Sequence, residues 1–480
     1  MKLPEEFTAY THQLMGEELF NTDLHGMEEE APTSIRLNPF KCTPSKAKVT
    51  AEDKEGTADS VNLVPWCPTT GRYLSCRRNF TFDPLLHAGM YYVQEASSMF
   101  IDQVIRQYIQ TPVRMLDLCA APGGKSTAIR AALPEGSLLF SNEPMRTRSQ
   151  ILAENLQKFG HPDIIVTNNY PKDYKKSKIQ FDAILTDVPC SGEGMFRKDE
   201  GAIKEWSQAN VNKCAQLQKE IVEDIWGCLR PGGILVYSTC TFNAHEDEEN
   251  IDWIVENLGA EILPVPIDST WGITSSLINK EQMYHFIPGK VKGEGLFLAV
   301  LRKPGDSEPT LSTKGKEKKK KKESGKRERP ICPDNWLQDQ DSWSYYNTEK
   351  GIYAMKVQWL ESLKAAQKSL KVIHAGIKIG TVKGKDIIPD QSLALSTALN
   401  TSVFNCEELT YDSAIKYLRK ETIQLSDITP IGYVLVTYKN IPLGWCKHLG
   451  NRSNNLYPQE WKIKSSHIPE GNNDIISLSN

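Results

Sequence analysis

The stretch Met115 to Ile129, MLDLCAAPGGKSTAI, limits what this chain can fold into more than any other. The apolar run Val113, Met115, Leu116 and Leu118 reads as a buried strand. A turn of small residues follows (Ala120, Ala121, Pro122, Gly123, Gly124). Lys125, Ser126 and Thr127 then open a helical pattern through Ala128, Ile129, Ala131 and Ala132. Strand, glycine turn and helix form the opening unit of a nucleotide-binding α/β sheet. Glycine lets the backbone approach a ligand closely, and a helix N-terminus favours negative charge. A phosphate-cradling P-loop needs a further glycine where Cys119 stands, and the dinucleotide pattern G-x-G-x-x-G is absent. An adenosyl ligand without a pyrophosphate, such as S-adenosylmethionine, remains. On this stretch alone a merely structural turn is the alternative.

At 480 residues the chain has room for two to four domains, and a hydrophobic content of 39% is enough for buried cores. No apolar run reaches the roughly 18 residues of a membrane span. The first residues, MKLPEEFTAYTHQLMGEEL, carry acid where a secretory signal is basic and then apolar, so an amphipathic helix is expected there. Eleven cysteines without a C-x-x-C pair fit neither a disulfide scaffold nor a zinc site. The expectation is a cytoplasmic protein with free thiols, no metal and no membrane. Net charge is -3, but Lys314–Arg329 alone carries +7 and the remainder -10. That run reads either as a solvated spacer or as an attraction for RNA.

Periodicity divides the chain into an N-terminal lobe (1–88), a catalytic domain (89–304), a basic linker (305–330), an intermediate segment (331–400) and a C-terminal domain (401–480). The lobe contains a strand at Ser34–Lys41, on which Arg36 and Lys41 are candidates to touch phosphate. A helix over Gly89–Gln110 leads into the first core strand. Further strands are expected at Ser137–Glu143, Ile164–Asn169, Phe181–Pro189, Ile234–Thr241 and Gly295–Lys303. Helices are expected at Thr147–Gly160, at Val211–Gly233 (stopped by Pro-Gly-Gly) and at Glu246–Gly259. Such alternation predicts a mainly parallel sheet with helices on both faces and a ligand at the C-terminal strand ends. Asp117, Cys119, Glu143, Asn168, Asn169, Asp187 and Cys240 fall at or near those ends. Farther on, Thr429–Pro458 reads as strand, turn at Lys439–Asn440, and strand. Trp445, Lys447, His448 and Arg452 there suit either stacking on single-stranded nucleic acid or packing of a small β-domain.

Two cysteines lie beside the fourth and fifth strand ends, Cys190 in TDVPCSGEGMFRKD and Cys240 in VYSTCTF. Carbon 5 of a pyrimidine is a poor nucleophile. A thiolate adding to carbon 6 makes an enamine whose carbon 5 accepts a methyl group, and a base must then remove the carbon 5 proton. A free thiol is only a few per cent ionised at neutral pH, so the site needs positive charge. Lys125 and the helix after Gly124 are candidates, and Asp187 is placed to hold the N3/N4 edge of the ring.

AAPGGK, DVPCSGEG and STCTF, in this order, resemble the Nop/Sun family of RNA cytosine-C5 methyltransferases. MFRKD, SIRLNPFK and LGWCK…YP narrow the resemblance to the bacterial branch called ribosomal RNA small subunit methyltransferase F. The resemblance implies a Rossmann-like S-adenosylmethionine-dependent core, a small N-terminal lobe and a C-terminal α+β, PUA-like RNA-binding region. It also implies a monomer acting on ribosomal RNA or the small ribosomal subunit. By resemblance Cys240 is the nucleophile and Cys190 assists product release, with Asp187 and Lys125 beside them. Cys119, Ala120, Ala121, Pro122, Gly123, Gly124, Lys125, Glu143 (ribose hydroxyls), Asn169 and Asp187 form the cofactor set. The family commonly has an Asp after the third strand, where this chain has Asn168 and Asn169, and which of them faces adenine stays open. Arg36, Lys198, Trp445, Lys447 and Arg452 are the candidates for RNA contact. Two rival readings stand: a DNA cytosine-C5 methyltransferase whose nucleophile is Cys190, and a non-catalytic ribosome-assembly factor.

Overall fold

The computed structural model describes residues 2–49, 63–311, 335–465, 467–469 and 471–478. The basic run Lys314–Arg329, and with it most of the expected linker, lies outside the described residues.

The chain is organised around a nine-stranded sheet. Its parallel centre is β1 (Arg114–Asp117), β2 (Leu138–Asn142), β3 (Ile164–Thr167), β4 (Phe181–Asp187) and β5 (Leu229–Thr239), in the spatial order β3-β2-β1-β4-β5. The order reverses beside β1, where an open α/β sheet binds ligands. β6 (Leu296–Arg302) runs antiparallel against β5. Alternate residues sort the core into two layers. Met115, Leu139, Val166, Leu185 and Val236 face one cluster, together with Ile129 and Leu152. Leu116, Phe140, Ile165, Ile184 and Leu235 face the other, together with Val222, Ile225 and Ile251. These partners lie on flanking helices: α3 (Gly124–Ala132) and α4 (Arg146–Phe159) on one side, α6 (Gln208–Trp226) and α7 (Glu248–Leu258) on the other. Near-continuous apolar strands covered on both faces are what such a sheet demands.

Before this sheet, α1 (Glu5–Glu28) breaks at Gly16, whose φ of 74° lies in the left-handed region. Phe7 of α1 meets Phe196 and Trp206 edge-on, at ring separations of 5.1 and 5.5 Å. The lobe that follows is a three-stranded sheet of Gly71–Leu74, Thr33–Leu37 and Tyr91–Val93. Helix α2 (Phe100–Tyr108) starts later than Gly89, because Tyr91–Val93 pairs with the lobe. Pro231-Gly232-Gly233 does not stop α6, which ends at Trp226. The three residues lie inside β5, and a register shift opposite Phe181 and Ala183 accommodates them. The short helix α5 (Pro171–Ser177), absent from the expected elements, follows β3.

In the C-terminal half, Trp343–Thr348, Gly351–Lys356, Ile377–Lys383 and Asp386–Pro389 form a four-stranded sheet. Between its second and third strands the chain detours through β7 (Val372–Ala375), which adds antiparallel to the free edge of β3. A last sheet pairs Asn405–Glu408 with Gly432–Tyr438, followed by Ile441–His448 and Ser453–Asn455. The expected turn is present, with left-handed φ values of 51° at Lys439 and 62° at Asn440. No helix among the described residues is long and apolar enough to cross a membrane.

Asp117 ends β1 with no exposed surface, and burial pushes its carboxyl up to about 7. A carboxyl bound more tightly to its proton in the folded state stabilises that state at low pH, and this contribution is lost as pH rises from about 4 to about 7. Asp117→Asn, neutral at every pH, should therefore gain stability over the native chain as pH rises. Urea midpoints at pH 5.5 and 8 measure this; a difference that does not widen with pH rules it out.

Candidate active site

The loop between β1 and α3 is pinned by α4. Arg148 donates to the Ala121 carbonyl at 2.9 Å, and Asn155 donates to the Pro122 carbonyl at 2.8 Å. Gly123 caps α3 with φ 117°, a conformation that side chains resist. Ser126 donates to Asp117 at 2.6 Å, which fixes the first helical turn over the strand end.

Glu143, just past β2, is 1% exposed. One of its oxygens accepts from the Met145 amide at 2.9 Å. The other, Oε2, is buried without a hydrogen bond, with the Arg148 guanidinium 3.5 Å away. A buried acceptor left over beside a glycine turn fits a ligand bearing hydroxyls, such as the ribose of S-adenosylmethionine. Asn168 donates to the carbonyls of Glu143 and Pro144, both at 2.8 Å. Asn169 is held through its backbone by Asn142 and spends its side-chain oxygen on the Lys371 amide, at 2.9 Å.

At the other side of β1, the Lys125 ammonium donates to Asp187 at 2.8 Å, and Ser238 donates to the other oxygen of Asp187 at 2.7 Å. Burial pulls the Lys125 ammonium down, but Asp187 first and then Cys240 outweigh it and keep the group protonated. β4 and β5 are neighbours in register, Asp187 opposite Ser238. The loops that follow therefore meet: the Cys190 and Cys240 sulfurs are 3.1 Å apart, and the Cys240 amide donates to the Cys190 sulfur at 3.3 Å. The bond to Cys240, then burial, hold the Cys190 thiol well above its ordinary range.

Two carboxylates with no expected role tie these loops together. Glu193 accepts from the Thr241 hydroxyl, the Phe242 amide, the Trp206 indole and Asn243, between 2.6 and 3.0 Å. Glu246 accepts from the Ser191 amide, Gln218 and Asn243. Both side chains are buried. In the sequence they look like ordinary charges, Glu193 in a glycine-rich turn and Glu246 in the acidic run HEDEEN. A Glu three residues after the first cysteine and one six after the second were the available signals.

Asp247, Glu248 and His285 bring metal-ligand atoms within 4.8 Å of one another, all buried. Glu248 and His285 pair directly at 2.8 Å, Thr239 donates to Asp247 at 2.6 Å, and burial pushes the Asp247 carboxyl well above its usual range. Asp247 Oδ2, Glu248 Oε2 and His285 Nδ1 are each buried without a hydrogen bond.

Of the expected RNA contacts, two are corrected. Arg36 is 1% exposed and donates to Gln94 and Thr127 beneath the loop of α3. Trp445 is 1% exposed, packs on Phe404 and donates to the Asp390 carbonyl. Both lie in the interior because their strands are covered on both faces: Thr33–Leu37 is buried throughout, and so are the four consecutive residues from Leu443 to Cys446. Lys41, likewise a phosphate candidate, caps the carbonyls of Ala88 and Lys158. Lys198 is exposed and pairs with Glu294 at 3.2 Å, Lys447 lies over Tyr433, and Arg452 is exposed.

A Rossmann-like sheet with this loop and carboxylate at its switch point defines an S-adenosylmethionine-dependent methyltransferase. Residues 109–302 match the family of 16S rRNA methyltransferase RsmB/F, residues 3–96 the N-terminal domain of 16S rRNA methyltransferase RsmF, and residues 404–463 the methyltransferase RsmF PUA domain. The ribosomal RNA small subunit methyltransferase F of Vibrio parahaemolyticus is 31% identical over 454 residues, 89% of this chain and 90% of that one. Its counterpart from Enterobacter is 27% identical over 483 residues, 95% of each. NSun6 from Pyrococcus horikoshii, solved with SFG, shares the fold at a TM-score of 0.52, with 18% identity over 63% of this chain and 99% of that one. A methyltransferase homologue from the same organism shares it at a TM-score of 0.51, with 24% identity over 62% and 95%. The chain belongs to the ribosomal RNA small subunit methyltransferase F family, and is an S-adenosylmethionine-dependent RNA methyltransferase.

Glu193→Ala strands four buried donors and should lower stability by about 3 kcal/mol. Glu193→Gln, which keeps an acceptor, should lose less. Urea denaturation of both variants checks the ranking.

Proposed function

We propose that the enzyme places a methyl group on carbon 5 of a cytosine in small-subunit ribosomal RNA, through a covalent bond between Cys240 and carbon 6. The observation that carries this reading is the pair of thiols at 3.1 Å between the ends of β4 and β5. The names of the relatives support the RNA class, and the need for two reduced thiols supports a cytoplasmic location.

S-adenosylmethionine, when bound, supplies an electrophilic methyl group. The loop from Cys119 to Lys125 and the open acceptor of Glu143 are the residues that would hold it. The bond to Cys240 and burial keep the Cys190 thiol protonated, with the two sulfurs 3.1 Å apart, and this reading assigns the attack to Cys240, whose proton passes to water. The positive charge of Lys125 favours the resulting thiolate. The sulfur adds to carbon 6, and Asp187 holds the N3/N4 edge as the ring gains electrons. Carbon 5 takes the methyl group. Committing Cys240 to the new bond removes the largest influence that raised Cys190, which then releases its own proton to water, and the resulting Cys190 thiolate accepts the carbon 5 proton. The carbon 6–sulfur bond breaks, the ring regains its double bond, and Cys240 is free. A paired cytosine does not expose carbon 6, so the target is single-stranded or flipped out.

Cys240→Ala should form no adduct with RNA containing 5-fluorocytosine. Cys190→Ala should accumulate adduct on ordinary RNA and turn over about 10²–10⁴-fold more slowly. Denaturing gels and methyl incorporation read both. The opposite pattern, with Cys190 essential for the adduct, would move the reading to DNA-type chemistry.

A further inference from the structure

We infer that the C-terminal region completes the cofactor site: Lys371, at the start of β7, is a positioning residue that sets the orientation of Asn168 and Asn169 and, through them, of Glu143. The inference rests on the reading of Glu143 as the ribose carboxylate and adds to it a residue outside both the 109–302 and the 404–463 family matches.

Three bonds converge on one residue. The Lys371 amide donates to the Asn169 side chain at 2.9 Å, the Asn168 amide donates to the Lys371 carbonyl at 3.0 Å, and the Lys371 ammonium donates to the Asn168 side-chain oxygen at 2.8 Å. With its oxygen held by a cation, the Asn168 amide can present only its NH₂ group to the other side. It does so twice, to the carbonyls of Glu143 and Pro144. Those carbonyls belong to the turn whose next amide, that of Met145, holds Glu143 Oε1 and leaves Oε2 unpaired. Lys371 therefore acts on the carboxylate through one side chain and one turn. The pairing of β7 with β3, Val372 opposite Thr167, fixes where Lys371 stands. This geometry also accounts for the asparagines. An aspartate at position 168 would lack the NH₂ group that holds the Glu143 turn, and the Lys371 ammonium would be spent on neutralising it. The adenosyl end of the site is thus built from two parts of the chain about two hundred residues apart.

Calorimetric titration of the full chain with S-adenosylmethionine and with S-adenosylhomocysteine tests this. Lys371→Met, which keeps the backbone bonds, should weaken both ligands about tenfold, the worth of one charge-assisted hydrogen bond. The thermal midpoint of the ligand-free protein should stay in place, because Lys371 is exposed. Lys371→Arg should recover most of the affinity. Asn168→Ala should lose as much, and adding Lys371→Met to it should change nothing further. Unchanged affinity in Lys371→Met, or a loss that persists in full on the Asn168→Ala background, overturns the inference while leaving the cofactor reading intact. A native chain that binds neither ligand overturns both.

Discussion

The chemistry proposed for this molecule depends on β4 and β5 being direct neighbours in a parallel sheet. Asp187 lies opposite Ser238, so two loops far apart in the chain leave the sheet from the same edge at the same height. Only that register lets two thiols touch. It also places Cys240 within the field of Lys125, which crosses from α3 to Asp187. The order of strands thus decides the chemistry before any side chain is considered. A parallel pairing is slow to find and is held by packing on both faces, which the two apolar layers provide.

Packing alone does not hold the thiols. The loops bearing them are too short and polar to build a core of their own, and the chain uses buried carboxylates there. Glu193 and Glu246 gather amides, hydroxyls and an indole from four segments. A buried charge is tolerated when every lone pair is satisfied, and a network of this kind rigidifies what it joins. Rigid loops suit the proposed reaction, in which both sulfurs act within one turnover. α1 belongs to this frame as well: Phe7 packs on Phe196 and Trp206, and Tyr10 accepts from the Ala244 amide.

Much of this was legible in the sequence. The five core strands, the glycine turn, the convergence of Glu143, Asp187 and the cysteines on one edge, and the Lys439–Asn440 turn all follow from local pattern. What local pattern misses is long-range. Arg36 and Trp445 look like surface cations and aromatics, yet each fills the interior of a sheet whose other strands lie elsewhere in the chain. Pro-Gly-Gly reads as a helix stop, yet a shifted register absorbs it within β5. Glu193 and Glu246 look solvated because nothing nearby in sequence reveals their partners. Apolar spacing over Tyr91–Val93 suits either a helix or a strand, and only pairing with Thr33–Leu37 decides.

The strand least visible in the sequence is the one with the widest structural consequence. Without β7, β3 would end the sheet with its amides and carbonyls open to any other strand. The chain closes that edge with a segment borrowed from its C-terminal half, and Lys356 and Trp359 from the same half also bind Asp163 at the foot of β3. A region joined this way is part of the catalytic sheet and cannot swing on a tether. The geometry that guards the edge is the same geometry that reaches Asn168 and the Glu143 turn.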